Sequence, residues 1–413
     1  MNPPVDTSAA PGSTKPLPLA GVRVIDFSRL LPGPWATQLL GELGADVIKV
    51  EQRGIGDPSR HNFPRYRQHS VYFNAVNANK RSIALDLTKA AGREVARRLL
   101  HDADVVIESY RPGVAAKLGV DYATIKSFNP RAIYCSITGF GQSGPLSHIA
   151  GHDLVIQGMT GLMGCALDTA NPPAVPGFQA GDFAGALMAV IGVQAALAQR
   201  ALTGEGCMID IAMFEALFNM CAIPLTSALG RLGGHSGEPR QEVFGRNARY
   251  ATYVSKDGKP VAVSLLEAKA WQEFCTGIGR PDLVDANETP ADRLTAHGER
   301  HAHYHAAVAR YCASYSWAEI MRHMEETGIA ICPVCTPDEA VALPHVAARG
   351  LIDYVQHPAE GRVPQLVNPL ARAGLARSAQ RPAPALGEHA DDILGTLGYT
   401  REQVVELRQH KII

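Results

Sequence analysis

At 413 residues the chain exceeds what one ordinary hydrophobic core serves, so two domains, or one large domain with an insertion, are expected. Apolar residues make up 46% and charged residues 19%, the balance of a soluble globular protein. A formal net charge of −1 without a long basic run argues against nucleic acid or an anionic membrane as the main partner, and leaves small anions open.

Residues 1–18 are rich in Pro, Ser, Thr and Ala and read as a disordered tail, not a signal peptide. The run 21–26, with Val22, Val24 and Ile25, predicts a first strand. Pro32-Gly33-Pro34 predicts a loop, 35–43 a helix ended by Gly44, and 45–50 a second strand. The pattern repeats with a strand at 82–87, a helix at 90–101, and strands at 104–108 and 132–137. Strands alternating with helices imply a mostly parallel sheet covered on both faces. Gly139, Gly141 and Gly144 then form a G-x-G-x-x-G, but Pro145 follows at once and no ribose-binding acid stands at the usual distance. The loop is read instead as one that lets backbone approach a ligand or a moving segment.

The apolar stretch 183–198 is shorter than a membrane span and reads as a buried helix. After Pro224 the texture changes. A hairpin is predicted from 249–255 and 260–265 around Asp257-Gly258, then helices at 268–278, 302–314 and 317–327, a second and smaller α+β domain. His301 and His305 share a helix face there without an apparent third ligand, so no metal is assigned. Eight scattered cysteines fit reduced thiols and a cytoplasmic protein. Cys332-Pro333-Val334-Cys335 has redox spacing, but Thr336 and Pro337 look like a helix start outside it. Loops and short elements follow, closing with helices at 391–397 and 401–409.

Two polar residues stand out in apolar, Gly-rich surroundings: His152, in Gly151-His152-Asp153, and Asp182, in Ala180-Gly181-Asp182-Phe183-Ala184-Gly185. A carboxylate at the mouth of an apolar helical run is expected to be partly desolvated, which raises its pKa and makes it a better base or nucleophile. A histidine is the side chain suited to moving a proton near neutral pH. The plainer alternative is an N-cap aspartate and a satisfied core histidine.

These residues belong to a set of ordered segments that resembles the family III CoA-transferases, the group that also holds the α-methylacyl-CoA racemases. The segments are Leu19-Ala20-Gly21-Val22-Arg23-Val24-Ile25-Asp26, Pro32-Gly33-Pro34, Gly44-Ala45-Asp46-Val47-Ile48-Lys49-Val50-Glu51, Asn79 to Leu87, Arg111-Pro112-Gly113, Gly139 to Asp153, Thr203-Gly204-Glu205-Gly206 and Gly387-Glu388-His389. The resemblance implies a Rossmann-like α/β large domain built from 19–224 and 332–413, with a small α+β domain inserted at 225–331. It also implies a homodimer of interlocked rings, with acyl-CoA and a small carboxylic acid as substrates and no tightly bound cofactor.

Asp182 matches the family's catalytic aspartate, which attacks the donor thioester to give a mixed anhydride and then carries CoA as an aspartyl thioester. Gly-rich backbone amides are expected to stabilise the oxyanions. For coenzyme A the matching positions are Arg53 and Lys117 near the phosphates, Leu85 and Leu87 along the adenine, and Ser109, Tyr110 and Arg111 in a strand-end loop. Surface charge and strand packing are the ordinary roles of the cations and leucines. His152 matches a position that is His in the racemases, and Glu267 falls where they carry an assisting glutamate, or is a helix-start carboxylate. Transfer is the favoured reading, because the racemases' Gly-Gly-Ala-Pro stretch is here Gly245-Arg246-Asn247-Ala248. The alternatives are epimerisation of a 2-methylacyl-CoA by His152 and Asp182, and a CoA-binding protein without turnover. Leu31 stands where formyl-CoA transferase has a polar residue, which argues against an oxalate-like acid.

Overall fold

A computed structural model describes residues 15–165, 172–234, 243–377 and 379–413; most of the expected tail lies outside the described residues. The chain divides into two compact units, one taking in Met1–Thr160, Val175–Met220 and His345–Ile413, the other Gly161–Ala174 and Cys221–Pro344.

The first unit is built on parallel strands β1 (Arg23–Asp26), β2 (Asp46–Gln52), β3 (Lys80–Leu85), β4 (Val105–Glu108), β5 (Ile133–Thr138) and β6 (Met208–Ala212). Their order is β3-β2-β1-β4-β5-β6. Strands β4 and β5 are buried along their whole length, as a parallel sheet covered on both faces requires. The Ala90–His101 helix turns Val95, Ala96, Leu99 and Leu100 onto this core, at helical spacing. Ile393 and Leu394, from the far end of the chain, join the same cluster. Between β1 and β4 the strand order reverses, so the loops leaving their carboxyl ends diverge and open a crevice.

A charge cluster without solvent exposure sits at the end of β1. Asp26 accepts hydrogen bonds from the Ser28 hydroxyl, from Thr37 Oγ1 at 2.7 Å and from Lys80 Nζ at 3.1 Å. Lys49 Nζ lies 3.9 Å from Asp26 and 3.0 Å from Asp57. Burial pushes the Asp26 carboxyl up, but the two ammonium groups and the hydroxyls outweigh it and hold it at about 2. Lys80 also donates to the Pro34 carbonyl and to Asn77 Oδ1, both at 2.8 Å. The predicted Pro32-Gly33-Pro34 loop is in fact the first turn of a helix, Pro32–Glu42, because proline at that position gives up no needed amide. A Cβ on Gly33 would fall 2.1 Å from Ser28 Cβ, so only glycine fits there.

The apolar stretch 183–198 is the middle of a 24-residue helix, Ala180–Thr203, long and apolar enough by length and composition to cross a membrane. The helix is longer than the apolar stretch predicted and only partly buried. Ala184, Ala186, Ala189 and Val193 pack inside the unit, while Ile191 and Leu202 are 56% and 89% exposed.

In the second unit β7 (Tyr250–Val254) and β8 (Pro260–Ser264) form the hairpin expected around Asp257-Gly258, with Gly258 at φ +79. Strand β9 (Ile331–Pro333) pairs with β8, and Trp271, Phe274, Tyr304, Val308 and Ile320 close the core from three helices. Cys332 lies on β9, and burial and then Cys335 push its thiol up, away from a reactive thiolate. Thr336 and Glu339 form a capping box on the next helix. Among the described residues no group of three His, Cys, Asp or Glu is placed to hold a metal. The region beyond Cys332 holds more regular structure than expected: β10 (Ile352–His357) and β11 (Gly361–Leu366) make an antiparallel hairpin in the first unit.

Replacing Asp26 by leucine leaves Lys49 and Lys80 buried without their shared carboxylate. The expected result in urea unfolding is a loss of about 3–5 kcal/mol, the usual cost of removing one partner from a buried ion pair.

Candidate active site

Loops from the crevice line a cavity of about 610 Å³ within the first unit. Arg29, Leu30 and Leu31 come from the end of β1, and Ser109, Tyr110 and Arg111 from the end of β4. Gly139, His152 and Asp182 line the same cavity. A neighbouring cavity of about 260 Å³ shares Arg29 and Tyr110 and adds Leu85 and Leu87.

The lip of the crevice is held by hydrogen bonds to side chains. The Arg29 N–H donates to Ser109 Oγ at 3.0 Å, and the Leu30 N–H to Asp57 Oδ1 at 3.1 Å. Leu30 is thereby kept at φ +65, a left-handed conformation costly for a leucine and often found at functional sites. The Arg29 guanidinium lies over the Tyr110 ring, 5.3 Å from its centre.

Asp182 is not an N-cap. Gln179 holds that position, and Asp182 falls in the first helical turn without a capping bond of its own. The orphan amides at this helix start are served by Asp153, whose Oδ1 accepts from the Gly181 N–H at 2.8 Å and the Asp182 N–H at 3.3 Å. Asp153 Oδ2 accepts from Gln157 Nε2 at 2.6 Å. Phe183, next to Asp182, stacks on Phe178 and meets Trp35 edge-on, an apolar screen at this helix start. Burial, and then the charge on Asp153, raise the Asp182 carboxyl from 3.8 to about 7.

His152 caps the Asp153–Met159 helix by position only, with no side-chain bond, and it is exposed, so it is no core histidine. The glycine loop explains its place. A Cβ on Gly139 would lie 2.5 Å from the Gly151 Cα, and one on Gly151 equally close to the Gly139 Cα. The glycines bring two backbones together beside His152. Two of the loop's amides are already used: the Gly141 N–H donates to Thr138 Oγ1 and the Gln142 N–H to Asp210 Oδ2, both at 2.9 Å. These two are not free for an oxyanion.

The residues matched to coenzyme A divide into two groups. Ser109, Tyr110 and Arg111 line the larger cavity, and Leu85, Leu87 and Tyr110 the smaller. Leu85 and Leu87 also pack into the core, which is their ordinary role in a strand. Arg53 and Lys117 line neither cavity; Arg53 Nε donates to the Ile413 carbonyl at 2.8 Å, and Lys117 is exposed in the last turn of a short helix. Glu267 belongs to the second unit, at the start of the Ala268–Gly277 helix, where it accepts from Arg293 Nη1 at 2.9 Å and makes no capping bond.

Sequence reasoning missed Tyr72. It lines the larger cavity, and burial and then the charge on Asp182 push its hydroxyl up to about 12, so it remains a neutral donor. The stretch Val71–Asn77 carries no periodicity long enough to announce a helix.

The succinate–glutarate CoA-transferase of Agrobacterium fabrum is 31% identical over 392 residues, covering 92% of this chain and 96% of the relative. The succinyl-CoA:glutarate CoA-transferase of Mus musculus is 32% identical over 379 residues, covering 91% and 86%. The crystal structure of a CAIB/BAIF family protein from Brucella suis is similar with a TM-score of 0.78 at 31% identity, over 93% of this chain and 100% of that one. With the family model for CoA-transferase family III matched over residues 19–390, the chain belongs to that family.

Proposed function

We propose that the protein moves coenzyme A from an acyl-CoA donor to a free carboxylic acid, with Asp182 as the nucleophile. The observation that carries this reading is a carboxylate lifted to about 7 in a cavity at the sheet's switch point, in a chain of this family. The Asp182 carboxylate attacks the donor thioester carbonyl and expels CoA thiolate, leaving a mixed anhydride. The thiolate attacks the aspartyl carbonyl carbon and releases the donor acid. The acceptor carboxylate then attacks the aspartyl thioester, and the freed thiolate takes the new acyl group and returns Asp182 as a carboxylate. Tyr72, a neutral hydroxyl in the same cavity, is available to donate to the oxyanions.

The apolar residues Leu30, Leu31, Ile149, Leu154 and Val175 give the acyl group a hydrophobic wall. Arg29 and Arg111 supply positive charge for an acid. Ser109, Tyr110, Arg111, Leu85 and Leu87 are the residues we assign to the CoA moiety. The relatives' names make succinyl-CoA with glutarate the first donor–acceptor pair to assay. We also propose the interlocked homodimer, supported by Ile191, Leu202, Phe218 and Met220, large apolar side chains the single chain leaves exposed.

Incubation with acyl-CoA followed by hydroxylamine or borohydride is expected to tag Asp182 on peptide mapping, and Asp182→Ala to abolish both the tag and transfer. Full transfer by that variant overturns the reading. Exchange of the α-proton in heavy water without an acceptor acid would instead mark epimerisation. Because the carboxylate is the attacking form, kcat/KM should rise with pH through about 7.

Folding raises this pKa above its ordinary 3.8, so the stability from the protonated group is full below that value and lost as pH rises through about 7. Asp182→Asn is therefore expected to melt above the wild type in mildly alkaline buffer, the gap closing in acid. Sedimentation at sub-micromolar protein should show dimer alone, with unfolding midpoints that rise with concentration; a folded, active monomer would refute the dimer.

A further inference from the structure

We propose that Glu360, in the turn between β10 and β11, is a positioning residue for the transfer reaction, clamping the segment that presents Tyr72 to Asp182. This rests on the reading of Asp182 given above.

The Glu360 carboxylate accepts from three consecutive backbone N–H groups, those of Arg67 at 2.8 Å, Gln68 at 2.9 Å and His69 at 3.0 Å. It also meets His69 Nδ1 at 2.7 Å. Its side chain is 1% exposed, although the turn itself reaches the surface. Bonding to His69 and to these amides outweighs desolvation and holds its carboxyl at about 2, so the clamp is ionised throughout the working pH range. The turn is braced from within, because His357 Nδ1 accepts from the Ala359 N–H at 3.1 Å and the Glu360 N–H at 3.2 Å.

A second anchor lies farther along β11. The buried Gln365 donates Nε2 to the Asn74 carbonyl at 3.2 Å. Tyr72 lies between the two anchor points, His69 and Asn74, in the Val71–Asn77 helix. Seven residues make a helix too short to hold its place by its own hydrogen bonds, so its attachments determine where it sits. Ser70 caps it, accepting from the Phe73 N–H at 3.2 Å, and the hairpin fixes the approach to that cap. Without the carboxylate, three amides in the turn lose their acceptor, and the entry to the helix loses its register.

The test is a double-mutant cycle on steady-state transfer. Glu360→Ala is expected to lower kcat about tenfold, as small misplacements at a reacting centre do, with the KM for acyl-CoA changed less than about twofold. Glu360→Gln keeps one acceptor oxygen and should fall between. In a Tyr72→Phe background Glu360→Ala should cost less than about twofold more, because the two changes act through one hydroxyl. An equal fold-loss in both backgrounds, or an unchanged kcat, overturns the proposal. Should Glu360→Ala fail to fold, Glu360→Gln and Gln365→Ala carry the same cycle. Absence of transfer by the wild type on any donor–acceptor pair would instead defeat the reading of Asp182. The clamp is then judged by hydrogen exchange at the Arg67, Gln68 and His69 amides, expected to quicken at least about tenfold in Glu360→Gln. Unchanged exchange overturns it.

Discussion

A carboxylate closed off from solvent with two ammonium groups beside it, Asp26, is what the crevice depends on. It ties the end of β1 to β2 and β3 through Lys49 and Lys80, and reaches the first helix through Thr37. Lys49 also donates to the Ser28 carbonyl at 2.9 Å and pairs with Asp57, which in turn holds the Leu30 amide. The strained lip of the crevice is therefore supported from below by charge. Such a cluster adds little net stability over an apolar packing of the same shape, but it tolerates no partial loss. It fixes where the loop after β1 must run.

Three carboxylates of the first unit show how placement alone assigns their work. Asp26 has two cations and hydroxyl donors, Glu360 a row of amides and a histidine, and both are held at about 2. Asp182 sits at a helix start, where amides and the helix dipole would ordinarily stabilise a negative charge. Asp153 has taken that position. It accepts the amides and adds its own negative charge, so Asp182 is left desolvated and raised to about 7. The stabilised carboxylates hold structure, and the unstabilised one faces the cavity.

Five strands of the parallel sheet were legible from their β-rich apolar residues, whereas β6, interrupted by Asp210, was not; the Ala90–His101 and Trp317–Thr327 helices were legible because their apolar spacing is regular. Gly258 and the capping Thr336 marked their turns by residue type. What escaped depends on partners distant in the chain. Glu360 and His69 are 291 positions apart, and nothing local in either stretch announces the other. Strands β10 and β11 alternate in burial but not in polarity, because His357 and Gln365 take buried positions while Tyr354 and Leu366 are exposed, so no apolar period marks the hairpin. Asp153 was noticed as a neighbour of His152, yet its service to a helix that starts 27 residues later is a matter of tertiary packing. Tyr72 reads as one more aromatic residue until the fold sets it in the same cavity as Asp182.

The backbone contact between Gly139 and Gly151 has a practical consequence for anyone reshaping this cavity. Where two main chains touch, neither position admits any side chain, and a change at one has no compensating change at the other. Leu31, Leu154 and Val175 face the same space with side chains alone, and exchanging them leaves the main chain as it is. A mutagenesis library seeking new acids should vary those walls and leave the glycine floor invariant. Its diversity would then go into contour, with the chemistry of the site left in place.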